Sequence, residues 1–314
     1  MVKEIEGTFE AGDMSLYTKS WLPDGPAKAK MIMFHGFSDH LDRYYDLFPT
    51  LARGGIAVYG LDQRGWGRSV KKTSQRGNTG PTSQVLADMA AFIKSQLPSD
   101  VPVFVLGHSM GGGQVATLAS SPQYAELTGQ VRGWILESPF IGFTAEEEPN
   151  WLTVFSGRLA GKLMPHFRLV RPIAPEKMSR DPAVVESVRA DKLMHNTGTL
   201  EGLASLLDRT ASLSKGELKL NDNIRSLVVM HGDADRVCSF DTARKWFESQ
   251  SVPDGEFRVY EGFYHQLHAD PGRERFYDEV RDWILERAEG GAKSGTEVTK
   301  TKSPVVEGRA EAKL

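Results

Sequence analysis

The sequence contains a single cysteine, Cys238, among its 314 residues. That excludes an intrachain disulfide framework and any cysteine-only metal cluster, and it fits a reducing compartment. No apolar run reaches about 18 residues, so no bilayer-spanning helix is expected. There is no basic excess: 38 Lys and Arg stand against 41 Asp and Glu, a formal net charge of −3. This argues against nucleic acid as a partner. The first residues, MVKEIEGTFEAGD, carry charge at Lys3, Glu4 and Glu6 and no apolar centre, so they are not expected to be a secretory signal. No internal repeat is visible. What remains is a chain with 40% hydrophobic residues, long enough for one large domain or two ordinary ones with a sizeable core.

Short apolar runs recur between turn residues: Met31–Phe34, Ile56–Leu61, Val101–Leu106, Val131–Leu136 and Leu227–Met230. They have strand length, and most are apolar on both faces, as in buried parallel strands. Thr82–Leu97 and Gly111–Ala119 between them have helical spacing. The alternation predicts an α/β fold with a mostly parallel, doubly wound sheet. Residues 8–22 read as an antiparallel hairpin leading into it. The alternation breaks over 142–215, where Pro149, Pro165, Pro172, Pro175 and Pro182 separate helix-like runs. We read this stretch as a helical cap inserted over the strand C-terminal ends, where open α/β sheets place ligands; the alternative is a long crossover with no functional role. The expected organisation is core (1–141), cap (142–215), core (216–288) and a polar tail (289–314) without secondary structure.

The chemistry is concentrated in a few motifs. Residues 103–113, VFVLGHSMGGG, run an apolar strand into Gly107-His108-Ser109-Met110-Gly111 and a helix start. This is a G-x-S-x-G nucleophile elbow in strand–turn–helix context, with Ser109 as the candidate nucleophile. A hydroxyl needs a base within hydrogen-bond reach. His265 and His268 both follow a late strand, Phe257–Tyr260; His265 is the preferred base, with His268 lining the pocket. The acid should follow Leu227–Met230, where HGDADRVC offers Asp233 and Asp235. Asp233, just after Gly232, suits a turn role, which favours Asp235 as the residue that orients the imidazole. Acyl transfer also needs two N–H groups facing the oxyanion. Met110, after the nucleophile, and Phe37, in the HGFSDH loop after Met31–Phe34, are the expected donors.

With HGFSDH followed by Arg43-Tyr44, LDQRGWGRS, GNTGPTSQV, GHSMGG, HGDADRVC and YEGFYHQLH in place, the chain resembles the monoacylglycerol lipase family of α/β-hydrolases, over about residues 5–288. The resemblance implies the α/β-hydrolase fold, the triad Ser109, Asp235 and His265, and no cofactor and no metal. It places Asp39, Arg43 and His268 near the glycerol hydroxyls; the alternative is a loop-stabilising salt bridge. It places Cys238 near the pocket, where a buried, merely apolar role is the competing reading. Two departures stand out. Trp66 replaces the histidine of the common D-x-R-G-H-G-x-S pattern. In the cap, the stretch Val188-Arg189-Ala190-Asp191-Lys192 lacks the family's tyrosine and its proline beside the aspartate, which leaves Val188 at the tyrosine position.

The expected activity is therefore that of a serine carboxylic-ester hydrolase, with monoacylglycerol as the first substrate. An esterase or thioesterase of specialised metabolism is the alternative, and a non-catalytic small-molecule-binding module a third reading. Trp151, Leu152, Phe155, Leu159, Leu163 and Met164 share one helical face. That face suits an acyl tunnel, a peripheral membrane or lipid-surface contact, or burial on the core. The ending Ala312-Lys313-Leu314 resembles the receptor-read peroxisomal signal S-K-L, so a peroxisomal import receptor is an expected partner. A functionless tail would instead leave the protein cytoplasmic or on lipid droplets.

Overall fold

The computed structural model describes residues 1–148, 150–291 and 295–301, with 151–156, 295–297 and 300–301 described as backbone only. Alternation along the strands builds the core. In β5 (Val103–His108), Val103 and Val105 join the apolar cluster on one sheet face, and Phe104 and Leu106 join the cluster on the other. Ile32 and Phe34 oppose Met31 and Met33 in the same way in β3 (Ala29–Phe34), and Leu227 and Val229 oppose Val228 and Met230 in β9 (Ser226–Gly232). Side chains of period two with both faces apolar must be covered twice. Each such fully buried side chain contributes about 1.5–3 kcal/mol.

The sheet has nine strands among the described residues, in the order β1-β2-β4-β3-β5-β6-β9-β10-β11, the last being Gly295–Thr301. Strands β1 (Lys3–Ala11) and β2 (Met14–Leu22) form the antiparallel hairpin, and β2 is antiparallel to β4 (Ile56–Leu61). All other pairs are parallel, including those of β6 (Gly133–Glu137) and β10 (Asp254–Tyr260). Helices α1 (Leu47–Arg53) and α10 (Arg273–Ala288) cover one face. Helices α2 (Thr82–Ser95), α3 (Met110–Ala119) and α9 (Phe240–Glu248) cover the other, with the short α4 (Ala125–Thr128) after α3. This is the α/β-hydrolase arrangement, mostly parallel and wound on both faces.

Between β6 and β9 the chain leaves the sheet. This insertion holds α5 (Trp151–Leu163), α6 (Pro175–Met178), α7 (Pro182–Ala190) and α8 (Leu200–Ser214). It also holds an antiparallel pair, β7 (Arg168–Val170) and β8 (Thr197–Thr199), where the sequence suggested helices alone. Three residues per strand are too few to show a period. A larger difference lies at the far sheet edge: residues Gly295–Thr301 form β11, parallel to β10, within the stretch read as a tail without secondary structure. Its Thr and Val residues suit a strand, and β10 offers it an open row of backbone groups.

Candidate active site

Every candidate reactive group sits on a loop at a strand's C-terminal end. β5 ends in the elbow, where Ser109 holds φ 53° and ψ −117°. Its carbonyl accepts the N–H groups of Gly113 (3.0 Å) and Phe140 (2.8 Å), and its own N–H donates to the Glu137 carbonyl at 3.0 Å. The turn is tight enough to need glycine: a Cβ on Gly107 would lie 2.6 Å from the Gly111 carbonyl oxygen, and one on Gly111 would run into the Phe34 carbonyl.

β9 ends in the acid loop. Asp235 Oδ1 accepts the N–H groups of Val237 (2.7 Å) and Cys238 (3.0 Å). That leaves Oδ2 to face His265 Nδ1 at 2.8 Å. Asp233, the competing acid, turns away and accepts the Gly262 N–H at 2.6 Å, tying the acid loop to the loop after β10. From that second loop His265 Nε2 reaches Ser109 Oγ at 2.9 Å. The structure thus brings Ser109, His265 and Asp235 into one hydrogen-bonded line. Burial pulls the His265 imidazole down, but the Asp235 carboxylate and Cys238 outweigh it and hold its pKa well above the ordinary 6.5. For Asp235 burial pushes up, and His265 outweighs that to give a net lowering.

The two expected oxyanion donors flank the serine. Met110 opens α3, where an N–H has no intrahelical acceptor. Gly36, before Phe37, packs so closely that a Cβ there would be 3.3 Å from Ser109 Cβ. Phe37 and Met110 both line a cavity of about 350 Å³ with Ser109 in its wall. The rest of the lining is mostly aliphatic: Leu200, Leu203, Leu206 and Leu207 from α8, Val237 from the acid loop, and Leu169, Val170 and Ile173 from the insertion.

The remaining expected pocket residues do not line that cavity. Arg43 is buried and donates to Ser187 Oγ (3.1 Å) and Tyr45 Oη (2.8 Å), with Asp191 at 3.7 Å. Asp39 accepts the His40 N–H and the Tyr44 hydroxyl, at 2.8 and 2.9 Å. His268 stacks on Tyr44, and its Nδ1 lies 2.7 Å from Glu137 Oε1. These three are buried beside the triad with these protein partners, while Arg43 Nε and His268 Nε2 have no hydrogen-bond partner among the described residues. Val188 packs with Met178, Val184 and Met194. Cys238 is fully buried with Sγ 3.9 Å from Ser109 Oγ, and burial raises its thiol pKa.

Sequence reasoning missed Glu137 and His108, which lie behind His265. Glu137 Oε1 accepts the His268 N–H at 3.1 Å, and Oε2 is 3.4 Å from His108 Nδ1. The signal available was a carboxylate ending the otherwise apolar run of β6. Among the described residues, two buried trios have donor atoms close enough to meet one ion: His108, Glu137 and His268, and Asp235, Cys238 and His265. In each, a His–carboxylate contact already occupies part of the donor set.

The family profile described as "Serine aminopeptidase, S33" matches residues 25–272. A Schizosaccharomyces pombe protein, provisionally named a monoglyceride lipase, is 30% identical over 87% of this chain and 72% of its own length. The monoacylglycerol lipase of Mycolicibacterium smegmatis is 28% identical over 87% of this chain and 94% of its own. Among solved structures, a soluble variant of Saccharomyces cerevisiae monoglyceride lipase bound to a substrate analogue superposes with a TM-score of 0.80, at 20% identity, over 90% of this chain and 95% of that one.

The direction of the His265 shift has a measurable consequence. A base must be neutral to take a proton, so kcat/KM for ester hydrolysis should fall as pH drops through the His265 pKa, with the midpoint above the ordinary 6.5. Asp235→Asn removes the charge that raises it. The midpoint should move down, and kcat should fall by roughly 10⁴. An acid limb that stays in place in Asp235→Asn would show that another group controls it.

Proposed function

We propose, for a chain that belongs to the serine aminopeptidase S33 family of hydrolases and to its monoacylglycerol lipase branch, that Ser109, His265 and Asp235 are the catalytic triad of a serine carboxylic-ester hydrolase. The observation that carries this is the unbroken line from Asp235 through His265 to Ser109, with gaps of 2.8 and 2.9 Å, opening on an aliphatic cavity. Ser109 Oγ attacks the ester carbonyl while His265 Nε2 takes its proton. The oxyanion rests on the Phe37 and Met110 N–H groups. His265 then protonates the departing alcohol, and water, deprotonated by the same imidazole, hydrolyses the acyl-enzyme.

The aliphatic cavity suits the acyl chain of a long or medium ester, and the relatives named for monoacylglycerol hydrolysis put that substrate first. An esterase or thioesterase of specialised metabolism is the second reading. Its support is that Asp39, Arg43 and His268 are buried, bonded to protein partners and absent from the cavity lining.

The insertion supports a peripheral lipid contact. Leu159, Leu163, Met164, Phe167 and Val170 are all exposed, and from Asn150 to Pro175 the chain carries Arg158, Lys162, Arg168 and Arg171 and no acidic residue. Trp151, Leu152 and Phe155 of the expected apolar face lie outside the described side chains. A peroxisomal address through Ala312-Lys313-Leu314 is proposed from the sequence alone, since those residues lie outside the described ones.

Each reading has its own experiment. Ser109→Ala should lose a factor of roughly 10⁶ in kcat and all fluorophosphonate labelling; wild-type turnover in that variant would remove the triad assignment. A panel of 2-monoacylglycerol, p-nitrophenyl esters and acyl-CoA should place monoacylglycerol first, and slow turnover of it beside a fast alternative would select the second reading. In sedimentation with phosphatidylserine-containing vesicles, the protein should co-pellet and Leu163→Asp with Val170→Asp should not; equal recovery of both proteins in the supernatant excludes the lipid contact. An N-terminal fluorescent fusion with Leu314 free should form peroxisomal puncta that vanish when Leu314 is deleted, whereas diffuse signal from both fusions rejects the address.

A further inference from the structure

Phe37 sits on the loop after β3, and its direction is held from outside that loop. The next residue, Ser38, has φ +55°, a left-handed backbone that non-glycine residues keep only where their surroundings enforce it. Its hydroxyl accepts the Asn196 N–H at 2.7 Å, and Asn196 is itself left-handed at φ +51°. One residue earlier, His195 Nε2 donates to the Gly65 carbonyl at 3.0 Å while Nδ1 accepts the Thr197 N–H at 3.2 Å. Burial lowers the pKa of this imidazole, so the ring is neutral and its two bonds define the tautomer. The ring lies flat on Trp66, with centroids 5.1 Å apart and an interplanar angle of 11°. Trp66 in turn meets Phe37 edge-on, at 4.8 Å and 62°. The run His195-Asn196 thus grips the oxyanion loop twice, through Ser38 and through Trp66.

We propose that His195 and Trp66 are positioning residues: the stack His195–Trp66–Phe37, closed by the Asn196–Ser38 bond, aims the Phe37 N–H at the developing oxyanion. The proposal rests on the reading above, in which Ser109 is the nucleophile and Phe37 supplies one donor. The leverage is large. One oxyanion donor is worth about 10²–10³ in kcat, and a displacement of about 1 Å can cost about 10². The insertion therefore does more than cover the cavity: it completes the geometry of a donor that belongs to the core.

His195→Ala is the test, because this side chain is only half-buried and its loss should leave the fold intact. Labelling with a fluorophosphonate to completion counts competent sites, so any misfolded fraction drops out. Per titrated site, kcat should fall by about tenfold to a hundredfold, as for a misaimed donor, with KM nearly unchanged. The inhibition constant of an alkyl boronic acid, which mimics the tetrahedral species, should rise by the same factor. His195→Phe keeps a flat ring on Trp66 and should recover most of the loss. Wild-type kcat per site in His195→Ala, or a loss confined to KM, overturns the clamp while an inactive Ser109→Ala leaves the triad standing. Full activity in Ser109→Ala would overturn the triad, and the clamp with it.

Discussion

One strained residue organises the site. Ser109 holds a backbone that a serine adopts only under constraint, and the constraint is the meeting of two strand ends. Its N–H donates to the last residue of β6, Glu137, and its carbonyl accepts from Phe140 just beyond. The exits of β5 and β6 are therefore locked together, and a Cβ on Gly112 would already touch Pro139. The glycines around the serine follow from this closeness. So does the position of Gly36, whose loop can bring an N–H to the serine only because no side chain intervenes.

The second constraint is electrostatic. Two histidine–carboxylate contacts of nearly equal length lie side by side: His265 with Asp235 at 2.8 Å, and His268 with Glu137 at 2.7 Å. They are separated by what else each carboxylate receives. Asp235 takes two further backbone N–H groups on Oδ1, which favours its charged form. Glu137 takes one, from His268, its Oε2 is buried without a hydrogen-bond partner among the described residues, and burial pushes its pKa up. Burial likewise holds His268 down, at about 3, and lowers His108 and His231. Of these four clustered histidines only His265 is shifted upward. The environment, and not residue type, distinguishes the base from its neighbours.

Much of this was legible along the chain because it is local. Strand periodicity, the elbow glycines and the order serine, aspartate, histidine are short-range patterns, and the choice between Asp233 and Asp235 rested on one step of spacing from Gly232. The polar cluster was not legible. Whether Arg43 faces a ligand or Ser187 depends on a contact across 144 residues, and spacing carries no information about it. His195 and Asn196 escaped for the same reason: each is unremarkable in its own segment. Trp66 stood out as a departure, but its arrangement with them exists only once the insertion folds back on two loops. The β7–β8 pair and β11 show the same limit at the level of backbone, since strands this short or this polar are defined by the edge they find.

The insertion also sets the route to the serine. Val170 is two-thirds exposed at 66% and also lines the cavity, as does its neighbour Leu169. Val170 thus belongs both to the exposed apolar residues of the insertion and to the aliphatic lining shared with Ser109. The charged residues that line the cavity are Arg158, Arg171 and Glu147. An acyl chain in the cavity would keep contact with the aliphatic side chains that make up most of its lining. The hydrophobic effect, proportional to the area kept from water, then opposes neither entry nor residence. The polar atoms that remain at the inner end are the nucleophile and the N–H groups beside it, so the ester group is the part of such a molecule that meets them.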